Sequence, residues 1–171
     1  DIESTLDMLI GAGKSLSELC EEDLYVHDTQ KSRALFAVLL DISGSMSGAE
    51  LATCAISVIM LLGRVQSDEI AIALFESDTH VVKGFLEERD LDTVADELLE
   101  LKSLGGTRVD TALEWCCKEF SEQGNIKHKI LFLLSDFCFF ESPEEIHKHV
   151  QKLSELEVHY LGASHGMSSV K

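Results

Sequence analysis

Two continuous apolar runs predict two strands that are buried on both faces. The first, Ala34 to Leu40, ends in Asp41, and the second, Lys129 to Ser135, ends in Asp136. Apolar runs without alternating polar positions are typical of central strands in a parallel sheet, where helices cover both faces. We therefore expect both strands in the middle of one sheet, each with an aspartate at its carboxyl end.

Two shorter apolar runs predict a hairpin. Glu69 to Phe75 and Thr79 to Phe85 are separated only by residues 76–78. This separation fits two antiparallel strands joined by a tight turn. A last strand is predicted over Val158 to Gly162. The sheet should then be mostly parallel, with one antiparallel strand at its edge.

Apolar residues at helical spacing predict four helices between these strands. The helical segments contain residues 49–65, 91–99, 109–120 and 146–153. The first is apolar on nearly every side, which predicts a largely buried helix. Asp90 is suited to cap the second helix. Ser142 and Glu145 form a capping box around Pro143, which opens the fourth.

The order strand, helix, hairpin, two helices, strand, helix, strand predicts an α/β fold. We expect a doubly wound, mostly parallel central sheet with one antiparallel edge strand and helices on both faces. The 171 residues fit a single domain. Residues 1–33 differ from the rest, with a short amphipathic stretch followed by mixed polar sequence. We expect an N-terminal extension over 1–33, packed on a domain over 34–171.

Composition narrows the classes of partner. Fourteen basic against 31 acidic residues give a net charge of -17, which repels phosphate backbones and anionic lipids. We therefore expect no nucleic acid and no membrane partner, although such a charge often serves solubility alone. The five cysteines include no C-x-x-C pair, and no signal peptide or membrane-length apolar run is present. These features predict a cytoplasmic protein with reduced thiols.

Five oxygen-bearing side chains should meet where the central strands end, because ligands of such sheets bind at the carboxyl edge. Asp41, Ser43 and Ser45 alternate after the first strand, Thr107 precedes a helix, and Asp136 follows the second strand. A site of oxygens without His or Cys favours a hard cation such as Mg²⁺ or Mn²⁺. Three neutral hydroxyls leave the ion electron-poor, so it should attract a carboxylate from a partner protein. Neither a general base nor a nucleophile partner is evident, so we expect no enzyme activity.

These residues resemble the metal-ion-dependent adhesion site of von Willebrand factor A domains. The site residues stand in D-I-S-G-S at 41–45, in G-G-T at 105–107 and in L-L-S-D at 133–136, and the similarity covers about residues 34–162. The resemblance implies direct ligation by Ser43, Ser45 and Thr107. It implies that Asp41 and Asp136 act largely through water, and that an acidic side chain of a partner completes the octahedron.

The N-terminal sequence DIESTLDMLIGAGKSL further resembles intracellular prokaryotic members of that family. These are the CoxE-like and magnesium-chelatase-D-like proteins that work beside MoxR-type AAA+ ATPases, which implies such an ATPase or its substrate as partner. The sequence departs from the family at Phe137, where a glycine usually follows the aspartate. It also stops near Lys171, before a sixth strand and last helix are evident, which leaves a truncated C-terminal end open.

Other interpretations of the same residues stay open. Ser43 and Ser45 could form a polar turn that caps the next helix. A haloacid-dehalogenase-type phosphohydrolase also has an aspartate after an apolar strand and binds Mg²⁺, but it expects a second aspartate where Ser43 stands. A third alternative is a structural domain with an empty site. The phenylalanines within 137–140 could belong to the core or rim the site, and Arg108 could be simply exposed or steer an acidic partner.

Overall fold

The computed structural model describes residues 33–103, 105–124 and 126–163. The strands are β1 (Ala34–Asp41), β2 (Ile70–Phe75), β3 (Thr79–Lys83), β4 (His128–Leu134) and β5 (Val158–Ala163). The helices are α1 (Ala49–Leu62), α2 (Leu91–Leu99), α3 (Asp110–Glu122) and α4 (Pro143–Glu155). The predicted N-terminal extension, apart from Arg33, and the last eight positions, 164–171, lie outside the described residues.

The five strands form one sheet in the order β3-β2-β1-β4-β5. β1 pairs in parallel with β2 and β4, β4 pairs in parallel with β5, and β3 is antiparallel to β2. This arrangement confirms the predicted fold class, with β1 and β4 as central strands. Leu40 of β1 is in register with Leu134 of β4. The two strands therefore end at the same edge of the sheet, and the loops that follow them start side by side.

Alternate residues of β1 face opposite sides of the sheet and build two hydrophobic cores. Leu35, Ala37 and Leu39 pack with the buried faces of α3 and α4. Val38 and Leu40 pack on the other side with α1 and α2. All of these residues are at most 1% exposed, and fully burying each leucine contributes about 1.5–3 kcal/mol. The apolar strand is thus held from both sides, which fixes the position of Asp41 at its end.

The structure corrects the burial predicted for the first helix. α1 buries one face, formed by Leu51, Cys54, Ala55, Val58 and Leu62. Ile56 and Met60 on its other side are 52% and 70% exposed. The helix itself was predicted correctly, but the expectation that it is largely buried was wrong. A helix packed on a sheet can bury only one stripe of its surface, and nothing among the described residues covers the other.

Local signals at element ends agree closely with the structure. Asp90 caps α2, since its carboxylate accepts a hydrogen bond from Thr93 N at 3.1 Å. At the start of α4, Ser142 Oγ accepts from Glu145 N at 3.3 Å, and the Glu145 carboxylate accepts from Ser142 N at 2.9 Å. That backbone N–H, helped by the Ser142 hydroxyl, holds the pKa of Glu145 below its ordinary value. The predicted capping box is therefore present.

Each strand differs from its predicted bounds by one or two residues at one end or at both. Glu69 belongs to a 3-10 turn, Ser67–Glu69, rather than to β2. β3 ends at Lys83, two residues before the predicted end at Phe85.

Among the residues described, no helix combines the length and the apolar composition needed to cross a bilayer.

Candidate metal centre

Asp41 stands at the carboxyl end of β1 and is completely buried. One carboxylate oxygen, Oδ1, accepts a hydrogen bond from Ser43 N at 2.8 Å. The other, Oδ2, accepts from Ser135 Oγ at 2.5 Å. Because both oxygens are held, one from its own loop and one from β4, the plane of the carboxylate is fixed.

Ser43 and Ser45 form the next part of the site, and their spacing brings the two hydroxyls together as predicted. Ser43 is 1% exposed, whereas Ser45 is exposed. Their Oγ atoms lie 3.1 Å apart. A tight turn closes between them, with Met46 N donating to Ser43 O at 3.0 Å, and the buried Met46 side chain anchors the loop in the core.

Thr107 lies on the second loop, and its side chain is 5% exposed. Gly44 N donates to Gly105 O at 3.3 Å, which joins this loop to the loop after β1. Gly105 has φ of 70°, in the left-handed region that favours glycine. A Cβ added there would lie 1.7 Å from a carboxylate oxygen of Glu76. The close approach that positions Thr107 therefore requires a glycine.

Asp136 opens the third loop and is only half-buried. Its Oδ1 accepts a hydrogen bond from Cys138 N at 3.0 Å. The next residue, Phe137, has φ of 61°, a left-handed conformation that is unfavourable for a non-glycine residue by about 1–2 kcal/mol. Phe140 N donates to Thr107 O at 3.1 Å and connects this loop to the second. All five predicted site residues thus lie on three loops that hydrogen bonds join, while their role as ligands stays a prediction.

The glycine that the resemblance predicts at position 137 would suit this backbone, since glycine adopts positive φ without strain. Phe137 adopts this conformation and points its ring at β5. A Cβ added to Gly162 would lie 2.7 Å from Phe137 Cζ, so the ring packs directly on that glycine. The loop after Asp136 therefore contains a left-handed residue whose ring packs on β5.

The aromatic residues of the third loop divide between core and surface. Phe139 packs against the core beside Phe75, with ring centroids 6.3 Å apart. Phe137 and Phe140 are 42% and 76% exposed. The Phe140 ring covers Gly106, where an added Cβ would lie 2.6 Å from it. Two exposed rings therefore flank the loops of the site.

Three residues of the site escaped prediction from sequence. Ser135 is fully buried and contacts Asp41, and its only sequence signal is a hydroxyl directly before Asp136. The Glu141 carboxylate accepts from the backbone N–H groups of Val109, at 2.7 Å, and Asp110, at 3.1 Å. It thereby satisfies backbone N–H donors at the start of α3. No local sequence pattern predicts this contact.

The third is Glu76, in the turn between β2 and β3. Its carbonyl oxygen accepts from Arg108 N at 2.6 Å. The backbone N–H of Ser77, followed by the Ser77 hydroxyl and His80, holds the pKa of the Glu76 carboxyl below its usual range. The Arg108 side chain, which is 52% exposed, pairs with Asp110 at 2.9 Å. Glu76 thus supports the loop of Thr107 through its contact with Arg108 N and its place beside Gly105.

The donor set fits a divalent cation. Asp41 places a carboxyl group in the interior, where an ionised group is costly unless a partner compensates its charge. In the parts of the chain that the structure describes, no Lys, Arg or His forms an ion pair with Asp41 or Asp136. The same parts contain no group of three or more His, Cys, Asp and Glu side chains suited to a metal. Any ion bound here must therefore rely on hydroxyl oxygens beside two carboxylates.

A model of the von Willebrand factor type A domain family matches residues 36–139, which is more than half of the chain. The chain belongs to the von Willebrand factor type A domain family. The matched segment contains all five predicted site residues. The predicted resemblance is therefore confirmed at the level of the family.

Relatives of this von Willebrand factor A domain agree with that assignment. An uncharacterized protein of Synechocystis, sll0103, is 28% identical over 100 residues, which are 58% of this chain and 24% of the relative. The manganese-loaded TRAP protein of Plasmodium vivax has a TM-score of 0.68 at 18% identity, over 80% of this chain and 58% of that one. Proximal thread matrix protein 1 of the mussel byssus, with a zinc-occupied MIDAS motif, has a TM-score of 0.64 at 16% identity. The match covers 77% of this chain and 38% of that one. At these identities the solved structures establish the fold alone, and this chain spans about a quarter of the curated relative.

Proposed function

We propose that this domain binds Mg²⁺ or Mn²⁺ on Asp41, Ser43, Ser45, Thr107 and Asp136, and uses the ion to bind a carboxylate of a partner protein. The observation that carries the proposal is the buried Asp41 carboxylate, which is fixed by Ser43 N and Ser135 Oγ and forms no ion pair with a described Lys, Arg or His. A divalent cation would supply the missing positive charge.

The choice of metal follows from the donor atoms and is supported by the neighbours. Hydroxyl and carboxylate oxygens suit hard cations, and Mg²⁺ and Mn²⁺ accept such ligands together with water. Two structural neighbours carry a metal, manganese in one and zinc in the other. By analogy a divalent ion suits this domain, and the all-oxygen set favours Mg²⁺ or Mn²⁺ over zinc.

The partner chemistry follows from charge and exposure around the site. A protein of net charge -17 repels acidic partners over most of its surface, so a bound dication would be a local exception. Phe137 and Phe140 expose apolar area beside the loops, where the partner residues next to an acidic side chain can pack. We therefore propose a partner segment that carries Asp or Glu with apolar neighbours.

We further propose that the domain is not an enzyme and that it works in the cytoplasm with a MoxR-type AAA+ ATPase or its substrate. The first part rests on Ser43, which stands where a dehalogenase-type phosphohydrolase requires its second aspartate. The ATPase assignment rests on the sequence of residues 1–16 alone. A phosphatase assay on generic esters should show no metal-dependent turnover. Turnover that is lost in Asp41→Asn would favour the phosphohydrolase instead.

Titration calorimetry with Mn²⁺ and Mg²⁺ tests the metal proposal on three proteins. Thr107→Ala removes a buried hydroxyl of the site and should weaken Mn²⁺ binding by at least about tenfold. Thr53→Ala is the matched control, because its hydroxyl donates to Ala49 O within α1, at an exposed position. It should bind Mn²⁺ like the wild type. Equal binding by wild type and Thr107→Ala, or no binding by wild type, would contradict the proposal.

Partner binding is tested by affinity capture with and without a chelator. Partners that depend on the ion should be released by EDTA and recovered when Mn²⁺ is added back. They should also be lost in Thr107→Ala but not in Thr53→Ala. Partners that survive chelation would show that binding uses another surface.

A further inference from the structure

We infer that Ser135 is a positioning residue for this site: its hydroxyl sets the orientation of the Asp41 carboxylate and the placement of the Asp136 loop together. The inference rests on the proposed function, because it concerns the same metal site. It adds a residue that touches neither the ion nor a partner.

The first argument is the geometry of the Ser135 hydroxyl. Ser135 Oγ donates to Asp41 Oδ2 at 2.5 Å and accepts from Phe137 N at 2.9 Å. A hydroxyl has a single proton, so once that proton is committed to Asp41, the oxygen lone pairs face the backbone of the Asp136 loop. One side chain therefore joins the first and third loops of the site, which are 94 residues apart along the chain.

The second argument is burial. Ser135 and Asp41 are both 0% exposed, so bulk water cannot replace the hydrogen bond between them. Hydrogen bonds to a charged group are shorter and stronger than neutral ones, and the loss of one partner leaves the other buried without compensation. Ser135 N also donates to Ala163 O at 3.2 Å, which ties the residue to β5. The hydroxyl is thus presented from a fixed backbone.

The third argument is the consequence for the ion. Groups that hydrogen-bond to the side chains around a metal orient them, and their removal typically lowers metal affinity by about 10–100-fold. Without the Ser135 hydroxyl, the Asp41 carboxylate would keep, among the described residues, only Ser43 N, which is part of its own loop. It could then rotate about that single contact. The Phe137 N–H would also lose its acceptor, and the left-handed turn after Asp136 would lose a support.

The test compares Ser135→Ala and Ser135→Thr with a matched control, Ser67→Ala. The Ser67 hydroxyl donates to Arg89 O at 3.0 Å across 22 residues, so its loss also removes a long-range serine hydrogen bond, but far from the site in sequence. Manganese affinity is measured by calorimetry, and the melting temperature of the EDTA-treated proteins reports folding independently. We expect a Mn²⁺ affinity about tenfold lower in Ser135→Ala, restored to within about threefold in Ser135→Thr, and unchanged in Ser67→Ala.

A double-mutant cycle on the metal-free proteins gives a second readout that does not need the ion. Asp41→Asn and Ser135→Ala should be non-additive in melting temperature, because each disrupts the same contact between the two side chains. The extra methyl group of threonine could prevent Ser135→Thr from folding. In that case the non-additivity of the melting temperatures tests the positioning role without this variant.

The outcomes separate the two proposals. If wild type binds Mn²⁺ and Ser135→Ala binds it equally well, the positioning role is wrong and the proposed function stands. If Ser67→Ala loses as much affinity as Ser135→Ala, or the cycle is additive, the effect is general destabilisation and the inference is overturned. If wild type binds no Mn²⁺, the proposed function fails, and the role of Ser135 toward a metal fails with it.

Discussion

Asp41 and Asp136 both lie at the carboxyl ends of central parallel strands, yet the protein holds their carboxylates differently. Asp41 is fully buried, and two hydrogen bonds fix both of its oxygens. Asp136 is half-buried, and one oxygen accepts from Cys138 N on its own exposed loop. Asp41 is the last residue of β1, whereas Asp136 lies two residues beyond the end of β4, and these two positions give one rigid and one adjustable carboxylate. A site built in this way can be preorganised on one side and adapt to a partner on the other.

The largest expected effect separates the two aspartates directly. Asp41→Asn should weaken Mn²⁺ binding by at least about a hundredfold, and Asp136→Asn by about tenfold. The new amide in Asp41→Asn would face the Ser135 hydroxyl, whereas water can replace an exposed oxygen of Asp136. Calorimetry with Mn²⁺ on both variants measures the difference. Equal losses, or a larger loss in Asp136→Asn, would remove the distinction between a rigid and an adjustable side.

The next effect tests the support of the rigid side at Gly105. Gly105→Ala and Gly124→Ala both place alanine at positive φ, 70° and 63°. Only the Gly105 variant meets Glu76, since no atom of the described residues lies within 4 Å of a Cβ at Gly124. Gly124→Ala should lower the free energy of unfolding by about 1 kcal/mol, and Gly105→Ala by more, because Glu76 must also leave its contact with Ser77 N. Urea denaturation measures both.

Manganese affinity provides the control for that pair. It should fall in Gly105→Ala, since the loop of Thr107 moves, and stay unchanged in Gly124→Ala. If both variants lose the same stability and affinity, the contact of Gly105 with Glu76 does not position the site.

A smaller effect concerns the far end of the adjustable loop, which the capping box of α4 anchors. Ser142→Ala should lower the free energy of unfolding by about 1 kcal/mol, close to the effect of Asp90→Ala at α2.

The pKa of Glu145 is lowered from 4.5 by the Ser142 backbone N–H, so its carboxylate stabilises the folded state fully above about pH 4.5. That contribution disappears as pH falls through the lower folded-state value. Urea titrations of wild type and Glu145→Gln between pH 7 and pH 3 should converge at the acid end, and a constant difference would contradict this sign.

The smallest expected effect is at Phe137, where two terms oppose each other. Glycine at this position removes the left-handed strain but also removes the ring that packs on Gly162. Glu157→Gly is the matched control, since Glu157 also has positive φ, 57°, and is exposed. Glu157→Gly should raise the free energy of unfolding by about 1 kcal/mol and Phe137→Gly by less.

Manganese affinity and partner capture complete the Phe137 comparison. Phe137→Gly should leave Mn²⁺ affinity within about threefold of wild type and reduce partner capture, if the exposed ring packs on the partner. Unchanged capture would restrict the ring to a structural role on β5.

Neighbouring residues in the sequence determined the elements and the order of the site residues. The apolar runs before Asp41 and Asp136 predicted two central strands, and Asp90 and Ser142 marked helix starts, because these signals act over a few residues. The D-I-S-G-S sequence likewise placed two hydroxyls near each other, since its spacing and the turn are both local. The family could therefore be predicted from short motifs in the correct order.

The tertiary structure alone decided which of these groups meet and how firmly they are held. The contact of Ser135 with Asp41 depends on the register of β1 with β4, which the packing of the whole sheet sets. The exposed side of α1 and the glycine under the Phe137 ring depend likewise on which surfaces lie opposite each other. The periodicity of apolar residues indicates which side of an element faces inward. It carries no information about which atom of another element that side will contact. For that reason the sequence predicted the same role for Asp41 and Asp136. Only the fold distinguished the fixed carboxylate of Asp41 from the adjustable carboxylate of Asp136.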